Sequence, residues 1–196
     1  MNRTLLAELA EAHAPSGHEA PVREIVAREL AAITDRVEHD PLGGIAAIRD
    51  GDGGPRLMLA AHMDEIGLMV TSVDEKSGFV SFLALGGWDP RTLVAQRVRI
   101  AGREPVEGIV GTPPVHVLTE EARKKAPELT DLAVDTGLPG ERVAELVRPG
   151  DTITRVRELR PLGDLVTGKA LDDRVGVLVM VEAMRAAGPT PVSYTH

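Results

Sequence analysis

Two short segments of this 196-residue chain carry side chains that can bind a metal ion. Residues 61–64 read Ala-His-Met-Asp, and residues 171–174 read Leu-Asp-Asp-Arg. A histidine binds a divalent cation through one ring nitrogen, while a nearby carboxylate commonly holds the other nitrogen and fixes its tautomer. His62 is therefore a candidate metal ligand, with Asp64 as the acid that orients it. The same tripeptide also fits a hydrogen-bonded histidine at a strand end, so the tripeptide alone does not distinguish a metal ligand from a structural histidine.

The adjacent carboxylates of Asp172 and Asp173 favour metal binding over a purely structural role. An aspartate at a helix start caps free backbone N–H groups and interacts favourably with the helix dipole. Capping accounts for one of the two side chains but less well for both, because an unpaired carboxylate beside an apolar helix is costly. A carboxylate that bridges two cations accounts for the second, since the metals of dinuclear hydrolases lie ~3.5–4 Å apart.

Strand patterns precede the first candidate segment. Residues 36–39, 44–49 and 56–61 have the composition of strands, and the Asp/Gly-rich connection between the last two suits a hairpin. Residues 57–61 are continuously apolar, which predicts a strand buried on both faces. Ligands collect beyond the carboxyl ends of strands in open α/β sheets, so His62 is well placed for a site.

Helical patterns lie at both ends of the chain. Apolar residues at helical spacing predict helices over 4–13 and about 19–33, which should pack against each other. A third helix, over 172–187, is apolar around most of its circumference and is predicted to be nearly fully buried. Together with the strands, these helices indicate an α/β layer architecture.

The middle of the chain, from about residue 67 to 157, has a different character. Short alternating segments separated by turn residues are typical of a small barrel or sandwich, and we predict a mostly-β domain inserted into the α/β one. The predicted strands cover 68–73, 79–85, 97–100, 107–110 and 152–156, with short helices over 119–125 and 141–146.

Composition excludes several classes of partner. The net charge of −8 argues against nucleic acid and against an anionic membrane surface, since both need clustered Lys and Arg. Without cysteines there are no disulfides or thiolate metal sites.

The chain shows no targeting or membrane segment. Glu8 and Glu11 interrupt the first apolar run, so it is not a secretory signal, and no stretch reaches the ~18 apolar residues of a membrane span. We expect a cytoplasmic protein.

Several segments in order resemble the M42 family of metallo-aminopeptidases. The resemblance implies an incomplete α/β metallopeptidase domain of the phosphorylase/hydrolase type, over 1–66 and 161–196. It also implies an inserted β-rich barrel domain, over 67–160, that serves dimerisation and oligomerisation. The similar segments are residues 15–17, 59–67, 86–91, 147–151 and 168–176.

The resemblance also implies an activity and a set of roles. His62 would bind one metal ion, Asp172 would bridge two, Asp64 would be the acid in the catalytic site that orients His62, and Asp173 would be a structural neighbour. The two ions, zinc or cobalt, would lower the pKa of a water that attacks the peptide carbonyl. Peptides would be the substrates, losing their N-terminal residues. Self-association into dimers, and into dodecamers for the full-length form, would follow.

The chain departs from the family pattern at its end. It stops at His196, before the Glu-Glu pair, the Asp and the late His that complete the family's site. We therefore expect a truncated fragment that binds metal poorly, is inactive alone, and leaves a sheet edge and the 174–187 helix uncovered.

Two other functions fit the same sequence. One alternative is a non-catalytic assembly or regulatory module on the same scaffold. Another is an endoglucanase, as relatives are sometimes labelled, although the chain offers few aromatic platforms for sugars.

Overall fold

The computed structural model describes residues 2–34, 36–50, 56–117, 119–187 and 192–194. Its contacts divide the chain into two compact units. The α/β unit comprises Met1–Glu65 with Arg157–His196, and the barrel unit comprises Ile66–Val156. Each unit has a hydrophobic core of its own. Within the described residues, no helix is both long and apolar enough to cross a bilayer.

The elements are numbered in chain order. The α-helices are α1 (Arg3–Glu11), α2 (Ala20–Ala31), α3 (Glu120–Arg123), α4 (Gly140–Leu146) and α5 (Leu171–Ala186). The strands are β1 (Val37–His39), β2 (Ile45–Arg49), β3 (Leu57–Leu59), β4 (Gly67–Val73), β5 (Val80–Leu85), β6 (Arg97–Ala101), β7 (Pro105–Gly111), β8 (Ala133–Asp135), β9 (Thr152–Arg155), β10 (Arg160–Leu162), β11 (Leu165–Thr167) and β12 (Val192–Tyr194).

The two N-terminal helices form as their sequence patterns predict. Asn2 caps α1, because its side-chain oxygen accepts a hydrogen bond from the backbone N–H of Leu5 at 3.1 Å. In α2 a proline occupies the first turn, where it removes no helical hydrogen bond. Both helices bury apolar stripes, of which Leu6 and Val22 are fully enclosed. They pack in the core of the α/β unit together with α5.

The sheet of the α/β unit has the strand order β1-β2-β12-β3. β12 runs antiparallel to β2 and parallel to β3. The predicted hairpin between β2 and β3 is therefore wrong, because β12 lies between them. The connection on which that prediction was based, residues 51–55, lies outside the described residues.

Strand β3 is not buried on both faces, as its apolar run predicted. Leu57 is 55% exposed and Met58 is 62% exposed. The reason is the position of the strand, since among the described strands only β12 pairs with β3. An apolar run predicts a buried strand only where neighbours cover both of its faces and edges.

Helix α5 is buried along one face and exposed along the other. Val177, Val181 and Met184 lie in the core, whereas Val175 is 37% exposed and Val179 is 57% exposed. The prediction that α5 is buried around its whole circumference is therefore wrong. The uncovered apolar surface that we expected on this helix is present.

The strands of the barrel unit close in the order β4-β5-β8-β7-β6-β9. The predicted mostly-β domain is therefore a barrel and not a sandwich, two alternatives that the sequence pattern did not distinguish. The short strand β8 was not predicted, yet it completes the closure by pairing with both β5 and β7. The hairpin of β10 and β11, in the α/β unit, was also not predicted.

Candidate metal site

The structure brings together the three predicted site residues of the α/β unit. His62 lies in the segment after β3, and its ring stands between two carboxylates. Nδ1 is 2.8 Å from Oδ1 of Asp64, and Nε2 is 3.1 Å from Oδ1 of Asp172. Asp172 is 110 residues further along the chain, so the fold alone makes this second contact.

A fourth residue, Ser16, belongs to the cluster and was not assigned a role from the sequence. Its hydroxyl donates a hydrogen bond to Oδ2 of Asp64. The segment that carries it is held beside Glu65, whose backbone N–H donates to the carbonyl of Ala14 at 3.0 Å. Pro15 and Glu65 form an isolated parallel bridge at the same place. Nothing in the spacing of these residues, 48 positions apart, signals the contact.

The hydrogen bonds within this cluster favour the charged forms of His62 and Asp64. Burial by itself lowers the pKa of His62, but hydrogen bonds to Asp172 and Asp64 outweigh it and raise the pKa above 6.5. Burial likewise raises the pKa of Asp64, yet hydrogen bonds from Ser16 and His62 hold it below its ordinary value of 3.8. Asp64 is therefore an ionised carboxylate that orients the ring.

The two adjacent aspartates occupy different environments. The backbone angles of Asp172 and Asp173 are not helical, so the regular turns of α5 begin at Arg174. Oδ1 of Asp173 accepts a hydrogen bond from the backbone N–H of Gly176 at 3.1 Å, which caps the helix. The Asp172 side chain is 95% exposed and faces His62. Capping thus explains Asp173 and leaves Asp172 available to a ligand.

The donor atoms of His62 and Asp172 are spaced as two ligands of a divalent cation would be. Two ligands of a tetrahedral zinc ion lie roughly 3.3 Å apart when each bond is ~2.0–2.1 Å. The separation of 3.1 Å between Nε2 of His62 and Oδ1 of Asp172 is close to that spacing. Within the described residues, no group of three or more His, Cys, Asp or Glu side chains could hold a metal. His62 and Asp172 therefore fit as two of the ligands of a metal site.

Sequence comparison gives a consistent family. The family model described as M42 glutamyl aminopeptidase matches residues 43–196. The putative aminopeptidase FrvX of Escherichia coli (strain K12) is 36% identical over 190 residues, which cover 94% of this chain and 53% of that protein. The chain thus spans about half the length of the curated relatives that it matches.

Solved structures of several peptidases share the fold of this chain. A TET aminopeptidase from Thaumarchaeota archaeon SCGC AB-539-E09 superposes with a TM-score of 0.91 at 34% identity, over 98% of this chain and 57% of that one. Pyrococcus horikoshii TET1 peptidase, which can assemble into a tetrahedron or a large octahedral shell, gives 0.86 at 29% identity, over 98% and 59%. A protein from Thermotoga maritima described as an endoglucanase gives 0.82 at 28%, over 97% and 57%. Since the family model covers most of the chain and the fold agrees, this chain belongs to the M42 family of aminopeptidases.

Proposed function

We propose that this chain provides part of the site of a metal-dependent aminopeptidase, which removes N-terminal residues from peptides. One observation carries the proposal. The His62 ring is held at Nδ1 by Asp64 while Nε2 faces the exposed carboxylate of Asp172. A ring fixed in this way presents a single nitrogen to a cation, which is the usual arrangement of a histidine ligand.

Each residue has a distinct role in the proposed site. His62 and Asp172 would hold the cation, and Asp172 has the exposure needed to bridge a second one. Asp64 orients the ring, and its own orientation is fixed by Ser16. Histidine and carboxylate donors suit zinc or cobalt, and such a cation supplies Lewis acidity that lowers the pKa of water.

Zinc titration monitored by the side-chain 15N resonances of His62 tests the metal role. We expect Zn²⁺ to shift Nε2 far more than Nδ1, because Nδ1 is already engaged by Asp64. His62→Ala and Asp172→Asn should each weaken zinc binding at least tenfold. His39→Ala, which removes an exposed histidine at the end of β1, serves as the matched control. Unchanged His62 resonances at saturating zinc would refute the metal role.

Hydrolysis by the isolated chain is expected to be absent. A catalytic zinc ion usually has three protein ligands, and the described residues bring two donors together. An aminoacyl reporter assay with added zinc or cobalt measures this directly. Turnover that His62→Ala abolishes would show that the donor count is wrong.

A non-catalytic assembly module is the second candidate, and the same donor count favours it. The two candidates differ in their response to zinc. A module that uses the scaffold only for assembly has no use for the exposed carboxylate of Asp172. Asp172→Asn would then leave zinc binding unchanged.

We further propose that this chain self-associates, as the TET1 peptidase does, and that the barrel unit mediates the contact. Large apolar side chains on this unit are exposed, including Leu83 at 44% and Ile109 at 51%. Light scattering coupled to size-exclusion chromatography should show a dimer or larger species. The double substitution Leu83→Ser/Ile109→Ser should shift it towards monomer. Leu165→Ser, at a 70%-exposed position in the α/β unit, should not.

A further inference from the structure

A buried ion pair in the α/β unit is formed by two residues that lie close in sequence to those of the candidate site. Nζ of Lys169 donates to Oε1 of Glu65 at 2.6 Å, and the two side chains are only 3% and 5% exposed. Both residues fall within segments that resemble the M42 family, 59–67 and 168–176, yet neither has a role in the proposed chemistry. Their placement points to one.

The pair joins the chain segments that carry the site. Glu65 follows Asp64 directly, and Lys169 lies three positions before Asp172. Oε1 of Glu65 also accepts from the backbone N–H of Ala14 at 3.3 Å, two residues before Ser16. Each segment with a side chain in the cluster is therefore connected to this one carboxylate.

The end of helix α1 anchors the same connection. Nζ of Lys169 donates to the carbonyl of Ala12 at 2.8 Å. Arg174, which is fully buried, donates to the carbonyl of Leu9 at 2.6 Å and to that of Ala14 at 3.4 Å. The last carbonyls of a helix lack helical partners and carry partial negative charge, so cations there are favourable.

Stability alone is a poor explanation for such a pair. Removing two charges from water costs several kcal/mol per ion, and apolar side chains of similar volume often serve stability as well or better. Within the described residues, Nε of Arg174 even lacks a hydrogen-bond partner. What charged groups provide and apolar ones do not is directional contact, which fixes the distance between the segments they join.

We infer that Glu65 and Lys169 are positioning residues, which hold His62 and Asp172 at the separation that a shared cation requires. The inference rests on the proposed metal role of those two residues. Neither positioning side chain contacts the cation, and both act through the backbone of the segments that carry the donors.

The double variant Glu65→Gln/Lys169→Met tests this. Lys169→Met alone leaves a buried carboxylate without its cation and is prone to unfold, whereas the double variant removes both charges and keeps an oxygen for the Ala14 N–H. We expect a melting temperature close to that of wild type, together with zinc binding through His62 at least tenfold weaker. A role confined to stability predicts wild-type zinc affinity once the melting temperature is restored, and that result would overturn the inference.

A metal-free measurement separates this inference from the proposed function. At a pH high enough that the ring is neutral, long-range 1H–15N spectra should show His62 as the Nδ1–H tautomer in wild type and as a mixture in the double variant. If zinc leaves wild-type His62 unperturbed, the metal role fails, while an unchanged tautomer in the double variant refutes the positioning role independently. Glu8→Gln/Arg28→Met, which removes an exposed ion pair elsewhere in the α/β unit, is the matched control and should change neither readout.

Discussion

Asp172 and Asp173 are neighbours in sequence, but only one of them is explained by the helix that follows. Asp173 caps the first turn of α5, and its carboxylate lies against Gly176 so closely that a Cβ there would be 2.3 Å from Oδ1. The sequence indicated that capping explains one aspartate. It did not show which one, because the regular turns begin at Arg174 and not at Asp172.

Gly176→Ala should therefore be close to neutral in wild type and stabilising in a background that lacks the Asp173 carboxylate. In wild type the new methyl displaces the Asp173 carboxylate, so the loss of a cap worth about 1 kcal/mol offsets the better helix propensity of alanine. In an Asp173→Ala background the same substitution should stabilise the protein by about 0.5–1 kcal/mol. Urea unfolding of the four proteins measures the coupling, and additive effects would contradict the close contact.

Ser16→Ala should weaken zinc binding without destabilising the fold. Ser16 is exposed, so the free energy of unfolding should change by less than about 0.5 kcal/mol. Loss of its hydrogen bond releases one oxygen of Asp64, and disruption of such outer contacts typically costs about 10–100-fold in metal affinity. Ser16→Thr keeps the hydroxyl and should retain most of the affinity. Equal zinc affinity in the alanine and threonine variants would argue against this role.

At the scale of elements, a chain of ion pairs connects the three helices of the α/β unit. Arg28 of α2 pairs with Glu8 of α1 at 2.7 Å, and also with Glu29 at 2.7 Å. Glu29 is in turn paired with Arg185 of α5. Burial raises the pKa of Glu29, but hydrogen bonds from Arg28 and Arg185 outweigh it, so its pKa lies below 4.5.

This lowered pKa predicts a loss of stability in acid. A depressed folded-state pKa means that the ionised form of Glu29 stabilises the helices fully above its unfolded pKa of about 4.3, and that the contribution disappears as pH falls through the folded value. Glu29→Gln should cost about 1 kcal/mol at pH 7 and give a shallower decline of stability between about pH 5 and 3. Glu38→Gln, at an exposed pair on β1, is the control; parallel pH profiles for Glu29→Gln and wild type would disprove the assignment.

Most elements could be predicted from local pattern, but their pairing could not. The positions of α1, α2 and the longer barrel strands follow from apolar periodicity, which is a local property. The insertion of β12 between β2 and β3 depends on residues more than 130 positions beyond β3, and a turn-rich connection gives no warning of it. Short strands such as β8 have too few residues for a period to appear.

The same distinction applies to the candidate site. Residue type made His62, Asp64 and Asp172 candidates, the resemblance to the M42 family gave them roles, and the structure places them in one cluster. Ser16 and the Glu65–Lys169 pair could not be identified in this way. Serine, glutamate and lysine are common in many settings, and only the folded chain shows what each one contacts.

At the scale of the whole molecule, the two units have separate cores and the barrel unit is a continuous stretch of chain. Its core includes Leu68, Val98 and Ile153, each at most 2% exposed. The first and last barrel strands are neighbours, since β4 pairs with β9 through Leu68–Ile153 and Met69–Thr152. The chain therefore enters and leaves the barrel side by side.

A protein consisting of residues 66–156 should fold alone. A closed barrel has no unpaired sheet edge to cover, and its core is complete within this stretch. We expect dispersed amide resonances and a cooperative thermal transition. Ile153→Asp, which places a charge in that core, should abolish both, and a wild-type fragment without resonance dispersion would contradict the prediction.

The adjacency of β4 and β9 has a consequence for how such proteins diversify. A segment whose two ends lie next to each other can be lengthened, trimmed or replaced without rerouting the rest of the chain. Selection on the outer surface of the barrel can then proceed independently of selection on His62 and Asp172. A lineage that keeps the proposed metal site is thereby free to vary the surface of the barrel.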